Sequence, residues 1–297
     1  MGGSCKIKVI SASELDFKTG IHTNLSSTAE EIAALASKDF PAKYVQFVTS
    51  SSSLIAPLEQ EFVKLSVHRD FMLEEPIEHV NCVDRKYMRS FMRVNFLNES
   101  GVDAGGVHRE WFLQVNELLL APGLGVFVCT NKAEQSYFLN PNSVFDVGED
   151  KHLMYYFAAG RLIGRVLLEG GVWGFHLALP LIKIILGIPV TFSDLEYLDP
   201  EVYRNGRNID VTDANKREYL DRKFHYMVFE SITSQLGVLL KGLYEVIPQE
   251  LLMLFDTEEF DYLLCGTQEI DVEDWEAHTV ASTDMKWNRT LGWFWEV

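Results

Sequence analysis

The residues that can do chemistry are few, and their spacing is loose. Four cysteines stand far apart at Cys5, Cys82, Cys129 and Cys265. No C-x-x-C pair exists, which argues against a zinc ribbon or a dithiol redox site. Cys265 follows an apolar run in Leu263-Leu264-Cys265-Gly266, with no His or Lys beside it in sequence to lower its pKa, so it reads as an inert core thiol. His108, His152 and His176 show no H-E-x-x-H spacing and read as surface or hydrogen-bonded histidines rather than metal ligands. Asp103 and Glu110 are separated by a glycine turn, a spacing that does not define an acid/base pair. No G-x-S-x-G segment points to a serine hydrolase. On the residues alone no catalytic, cofactor-binding or metal site is expected.

The segment Gly101 to Phe112 combines a turn, an acid and a helix start. Gly101, Gly105 and Gly106 permit positive φ and close packing, and Asp103 can accept backbone N–H bonds in the turn. Glu110 is expected in the first turn of the following helix, where its charge suits the dipole. A phosphate cradle would need G-x-x-x-x-G-K-[ST], or G-x-G-x-x-G between a strand and a helix, and neither pattern occurs. The segment therefore reads as structural.

The elements around it are mostly helical. Val63, Leu65 and Val67 alternate with polar residues, as do Met92, Val94 and Phe96, which predicts two strands with one buried face each. Between them, Asp70 to Arg89 predicts a helix broken near Pro76. Trp111, Phe112, Val115, Leu118 and Leu119 fall at helical spacing, as do Leu153, Tyr156, Phe157, Gly160, Gly164 and Leu167. Gly160 and Gly164 each cost roughly 1 kcal/mol against Ala, so close approach of a neighbouring helix is expected there. Arg161 and Arg165 fall on another face of that helix. A long helix is predicted from about Ala214 to Leu243, with Tyr219, Phe224, Met227, Ser231, Leu236 and Leu239 near its buried side, and Pro248 starts or precedes the next. Residues 1 to 57 are weakly patterned, with one short helix expected from Ala29 to Ser37 and a loop or helix end at Ser50 to Ser53. The fold class expected is mainly α with small β elements, an α+β chain.

Composition narrows the function classes. A formal net charge of −17 disfavours DNA or RNA, because a phosphate-binding surface needs clustered Lys and Arg. From Glu245 to Glu276 there is no Lys or Arg, which reads as a solvated acidic face, with a docking site for a basic partner as the alternative. The longest apolar run, around Leu177 to Leu186, is interrupted by Pro180 and Lys183 and is too short to span a bilayer. No secretory signal is visible, and sparse cysteines fit a reducing compartment, so a cytoplasmic location is expected. The start Met1-Gly2-Gly3-Ser4-Cys5 half meets the myristoylation pattern, because position 6 is Lys; an acylated amino terminus is the alternative.

A series of ordered landmarks carries a family resemblance. Gly101-Val102-Asp103-x-Gly105-Gly106-Val107-x-Arg109-Glu110-Trp111-Phe112 is followed by Asn140-Pro141-Asn142 and by Phe157-x-x-Gly160-Arg161-x-Ile163-Gly164. Leu179-Pro180, Asp194-Leu195-Glu196-x-x-Asp199-Pro200 and Thr212-x-x-Asn215-Lys216-x-Glu218-Tyr219 come next. Leu264-Cys265-Gly266, Ile270-Asp271-x-x-Asp274-Trp275 and Trp293-Phe294-Trp295-Glu296 complete it. Together they resemble the amino-terminal lobe of HECT-type ubiquitin ligases over residues 58 to 297. The resemblance implies that lobe's fold and a ubiquitin-protein transferase that relays ubiquitin from a conjugating enzyme, through a thioester on its own cysteine, to a substrate lysine. It places that cysteine in a carboxy-terminal lobe beyond a hinge. None of the four cysteines matches the catalytic context, so the expectation is a truncated chain that is inactive alone; the alternatives are a non-catalytic module binding ubiquitin or a conjugating enzyme, and an incomplete gene product. The resemblance also implies an internal shortening near residues 203–208, where family members carry part of the conjugating-enzyme groove. Of that groove only the later helix remains, and Arg217 and Tyr219 are its candidate contact residues. Tyr219 either anchors this interface or packs into the core.

Overall fold

The computed structural model of the chain describes residues 7–11, 29–56, 61–99, 106–149, 151–198, 216–266, 272–280, 292–293 and 295. They divide into two units, residues 1–265 and 266–297.

The first unit opens with β1 (Ile7–Ser11), α1 (Ala29–Ala36) and α2 (Phe40–Ser52). The serine run ends α2, with Ser53 as its C-cap. Although these residues look weakly patterned, α2 buries Phe47, and Leu54 follows it into the same core. The Phe47 ring meets Phe255 edge-on at 5.3 Å. Lys43, also on α2, is buried and donates to Glu259 at 2.8 Å.

Both strand expectations hold. β2 (Glu61–Val67) and β3 (Phe91–Phe96) pair in parallel, and β1 adds antiparallel to β2. Val63, Leu65 and Val67 are buried with Met92, Val94 and Phe96, the alternate residues of each run. Parallel pairing requires a crossover, which runs through α3 (Glu74–Cys82). The expected break at Pro76 is absent. Pro76 lies in the first turn of α3, where its missing N–H forfeits no helical bond. The helix is instead bounded by 3-10 turns at Arg69–Phe71 and Arg85–Tyr87, the second capped by the Asp84 carboxylate accepting from the Lys86 N–H at 3.1 Å.

α4 (Gly106–Leu120) buries Trp111, Phe112, Val115 and Leu119, as the spacing predicts. Two expectations fail here. Leu118, at the margin of the stripe, is 37% exposed. Glu110 lies beyond the first turn and meets no helix dipole; it accepts from the Arg69 guanidinium at 2.7 Å, which holds its carboxyl below the usual range. The glycine turn at 101–105 lies outside the described residues. After α4, β4 (Phe127–Asn131) and β5 (Ser136–Leu139) form a hairpin that leads into α5 (Ser143–Asp146).

α6 (His152–Glu169) is the spine, with 13 of its residues buried, which marks a core helix surrounded on all sides. β6 (His176–Leu177) then pairs in parallel with β5. α7 (Leu179–Leu186) takes the interrupted apolar run, with Pro180 in its first turn and Gly187 at φ 74 closing it. No described helix is long and apolar enough to cross a membrane.

The predicted long helix is two helices. α8 (Lys216–Val228) ends in a 3-10 turn, Glu230–Ile232, and α9 (Thr233–Val246) follows. The break lets each half bury against a different partner. Phe224 and Val228 of α8 join Leu195 in a small separate cluster, whereas Leu236, Leu239, Leu243 and Val246 of α9 enter the main core. α9 lies directly against α6. A Cβ on Gly160 would overlap the Leu239 carbonyl, one on Gly164 would sit 2.6 Å from the Val246 Cβ, and one on Gly242 would overlap the Phe157 carbonyl. The close approach expected from Gly160 and Gly164 is therefore present, with Gly242 as its counterpart on α9. Pro248 precedes α10 (Gln249–Leu252), and α11 (Thr257–Cys265) completes the unit.

Arg161 and Arg165 leave α6 on the side facing α3 and β3. Arg161 Nη1 donates to the carbonyls of Val80 and Val83 at 2.7 Å each, satisfying groups that the end of α3 leaves unpaired, while Nη2 meets Glu245 at 2.6 Å. Arg165 Nη1 donates to Met88 and Ser90 carbonyls at 3.0 and 2.8 Å. Its complete burial pulls its pKa down to about 10.

In the second unit, α12 (Val272–Ala277) is followed by Thr279, whose hydroxyl donates to the Trp275 carbonyl at 2.6 Å. Trp275 and Trp295 meet edge-to-face at 5.2 Å.

Candidate functional site

The surface around α8 is assembled from three pieces. At its base is Asp194, only 3% exposed, in the 3-10 turn Phe192–Tyr197. One carboxylate oxygen accepts from Lys183 Nζ of α7 at 2.7 Å, and the other accepts from the Thr191 N–H at 2.7 Å and the Thr191 hydroxyl at 3.1 Å. This capping box fixes the turn, and the Lys183 pair ties it to α7. The turn presents Leu195, fully buried, and Phe192 to α8. Phe224 of α8 stands 6.5 Å from Phe192 and 6.1 Å from Phe229, closing an aromatic cluster beneath the helix.

With Phe224 and Val228 facing inward, α8 turns other residues to solvent. Tyr219 is 37% exposed and Tyr226 55%. Seven residues apart on a helix, they fall on one stripe. Among the described residues Tyr219 lies outside the buried clusters, not on the buried side of the helix where its spacing puts it. Arg217 is exposed as well. Two positions from Tyr219, it is rotated by roughly 200° around the helix, so the two sequence candidates share an element without sharing a face. Tyr226 is not among the sequence candidates; its seven-residue spacing from Tyr219 is what puts it on the same stripe. The shortened segment near 203–208 lies outside the described residues.

The thiols and imidazoles are distributed as follows. Cys82 and Cys129 are exposed, and Cys265 is partly buried; Cys5 is outside the described residues. Burial, with the Asp261 carboxylate beside it, pushes the Cys265 thiol well above its usual pKa, so it is held protonated. His152 is buried against the Ser143 hydroxyl at 3.1 Å, and His108 stacks on Trp111 with centroids 5.8 Å apart. His176 meets Asp261 at 2.7 Å, and the Cys265 thiol donates to the other Asp261 oxygen at 3.7 Å. The expectation of a core thiol is met only in part: Cys265 is partly buried, its raised pKa fits an inert thiol, and the fold places a carboxylate four residues back and an imidazole from a distant strand close to it.

Comparison with known proteins gives the family. A family described as HECT-domain (ubiquitin-transferase) matches residues 112–205 and 203–297, well over half of the chain. The chain belongs to the HECT-domain family. Among similar HECT chains are the E3 ubiquitin-protein ligases UPL2 and UPL1 of Arabidopsis thaliana, 28% and 27% identical over 277 residues, or 79% of this chain. E3 ubiquitin-protein ligase TOM1-like of Neurospora crassa is 30% identical over 239 residues, 69% of this chain. The chain spans only 6% to 8% of the length of these relatives. The mainly helical architecture with two small sheets agrees with the amino-terminal-lobe fold that the sequence landmarks imply.

Proposed function

We propose that this chain is the conjugating-enzyme-docking lobe of a HECT-type ubiquitin-protein transferase. The observation that carries the reading is the α8 surface: Tyr219 and Tyr226 form a half-exposed aromatic stripe on a helix braced from below by the Asp194 box and the Phe192–Phe224–Phe229 cluster. Tyrosine suits an anchor, because it supplies a large apolar face and a polar tip at small entropic cost. A family match in two segments that meet at 203–205 supports an internal shortening just before this helix.

The lobe binds and positions; the acyl chemistry needs another thiol. A ubiquitin thioester forms by thiolate attack, and the partly buried Cys265 is held as a thiol by burial and by its carboxylate neighbour. These 297 residues, mixed with activating enzyme, a conjugating enzyme, ubiquitin and ATP, are expected to give no reductant-sensitive ubiquitin adduct. They are expected to bind a member of a panel of ubiquitin-conjugating enzymes without turnover. Replacing Tyr219 and Tyr226 together by Ala should weaken that binding at least about tenfold, the loss of one interface anchor or more. Arg217→Ala should change it far less. A thioester on any of the four cysteines, or binding indifferent to both tyrosines, would overturn the reading.

A further inference from the structure

A second constellation lies away from α8. His176 opens β6, and Asp261 and Cys265 stand four apart on α11, hence on one face of that helix. The two elements are held together independently of these side chains. The Trp173 N–H donates to the Leu264 carbonyl at 2.6 Å, Ser136 of β5 stands opposite His176 in the sheet, and Phe260 and Leu264 of α11 are fully buried. Imidazole, carboxylate and thiol therefore converge from a rigid frame, and their donor atoms all lie within 4.8 Å of one another.

We propose that His176, Asp261 and Cys265 form a binding site for a zinc-class divalent cation. The donor set selects the ion. One nitrogen, one oxygen and one sulfur suit a borderline cation such as Zn²⁺, whereas Mg²⁺ and Ca²⁺ take all-oxygen shells. A tetrahedral ion at about 2.0 Å from nitrogen and oxygen and 2.3 Å from sulfur needs its donors about 3.3 to 3.6 Å apart. His176 meets one Asp261 oxygen at 2.7 Å and Cys265 meets the other at 3.7 Å, so side-chain rotations must open the first contact and turn one oxygen toward both partners, starting from donor atoms that already lie within 4.8 Å of one another. An ion pair accounts for His176 and Asp261; it gives no role to the soft donor at the second carboxylate oxygen. The His176 and Asp261 side chains are 37% and 29% exposed, which gives an ion a way in and leaves water for the fourth position. On binding, the Cys265 S–H bond breaks, its proton passes to solvent and the sulfur lone pair forms the bond to the metal. The site joins two elements of the first unit, so its occupancy would brace the β6–α11 contact.

The test uses the full chain, freed of metal with a chelator and titrated with Co²⁺ as the spectroscopic probe. One Co²⁺ per chain is expected, with visible bands of a tetrahedral site and a near-ultraviolet thiolate-to-cobalt charge-transfer band, all displaced by Zn²⁺. Cys265→Ser should abolish the charge-transfer band, and Cys265→Ser and His176→Gln should each weaken Co²⁺ at least about tenfold, no less than the loss of a supporting outer-sphere partner costs. Replacing Cys5, Cys82 and Cys129 together by Ser should leave the band in place. X-ray absorption of the Zn²⁺ form of the unmodified chain guards against variants that fail to fold: one sulfur at about 2.3 Å is expected. No charge-transfer band, a band that survives Cys265→Ser, or a zinc shell without sulfur would each reduce the cluster to an ion pair and overturn the proposal.

Discussion

At the scale of single residues, burial decides which polar groups matter. Arg161 is 4% exposed and spends its donors on the Val80 and Val83 carbonyls and on Glu245. Arg161→Met keeps most of the volume but strands Glu245 and two carbonyls, so a loss of about 3 to 5 kcal/mol is expected in urea unfolding. His79 gives a pH signature. Burial lowers its pKa, an effect that the charges of Glu75 and Glu78 only partly offset. Below the usual histidine value of about 6.5, the unfolded chain takes up a proton that the native state refuses, so stability is complete above that value and falls as the pH drops through it. Melting temperatures measured between about pH 7.5 and 5 should decline less steeply in His79→Gln than in the parent chain. An equal decline would assign the acid sensitivity to other groups.

At the scale of elements, the α6–α9 contact sets the strictest demands. Ala is the better helix former at Gly160 by roughly 1 kcal/mol. Its Cβ would nevertheless collide with the backbone of α9, a neighbour that cannot rotate away. Overpacking of this kind costs about 1 to 3 kcal/mol or more, so Gly160→Ala is expected to destabilise on balance, read as a lowered melting temperature. Exposed Gly237, with nothing near its Cβ, is the control in which Ala should stabilise. The glycines were legible in the sequence because they broke helix propensity inside a strong apolar period. The alternating strands Val63–Val67 and Met92–Phe96 were legible for the corresponding reason. The break at Glu230–Ile232 was not, since no Gly or Pro marks it and it arises from two helices choosing different cores. The His176–Asp261–Cys265 cluster was invisible because its ligands are 85 residues apart and meet only through α11 packing on β6. On α8 the landmarks singled out Arg217 and Tyr219 as candidates, but the opposite projection of the pair, and the exposure of Tyr226 on the Tyr219 stripe, needed the helix phase.

At the scale of the whole molecule, the buried members of the main hydrophobic core, among the described residues, run from Phe47 to Leu264. Residues 1–265 expressed alone are therefore expected to melt cooperatively by circular dichroism, whereas the 266–297 segment, shorter than about 40 residues, should show little helix by itself. A non-cooperative melt of the longer piece would mean that its core is incomplete. The bond between Lys43 and Glu259 adds a constraint in time, since it spans 216 residues. At ribosomal speeds of about 5 to 20 residues per second, α2 leaves the tunnel on the order of ten to forty seconds before its partner helix exists. Through that interval Phe47 has no Phe255 ring to meet and Lys43 no counter-ion, so the nascent chain carries a sticky amphipathic segment while it waits. Holdase chaperones should find their earliest grip on this protein there, and slowing translation downstream of α2 should raise the fraction lost to aggregation.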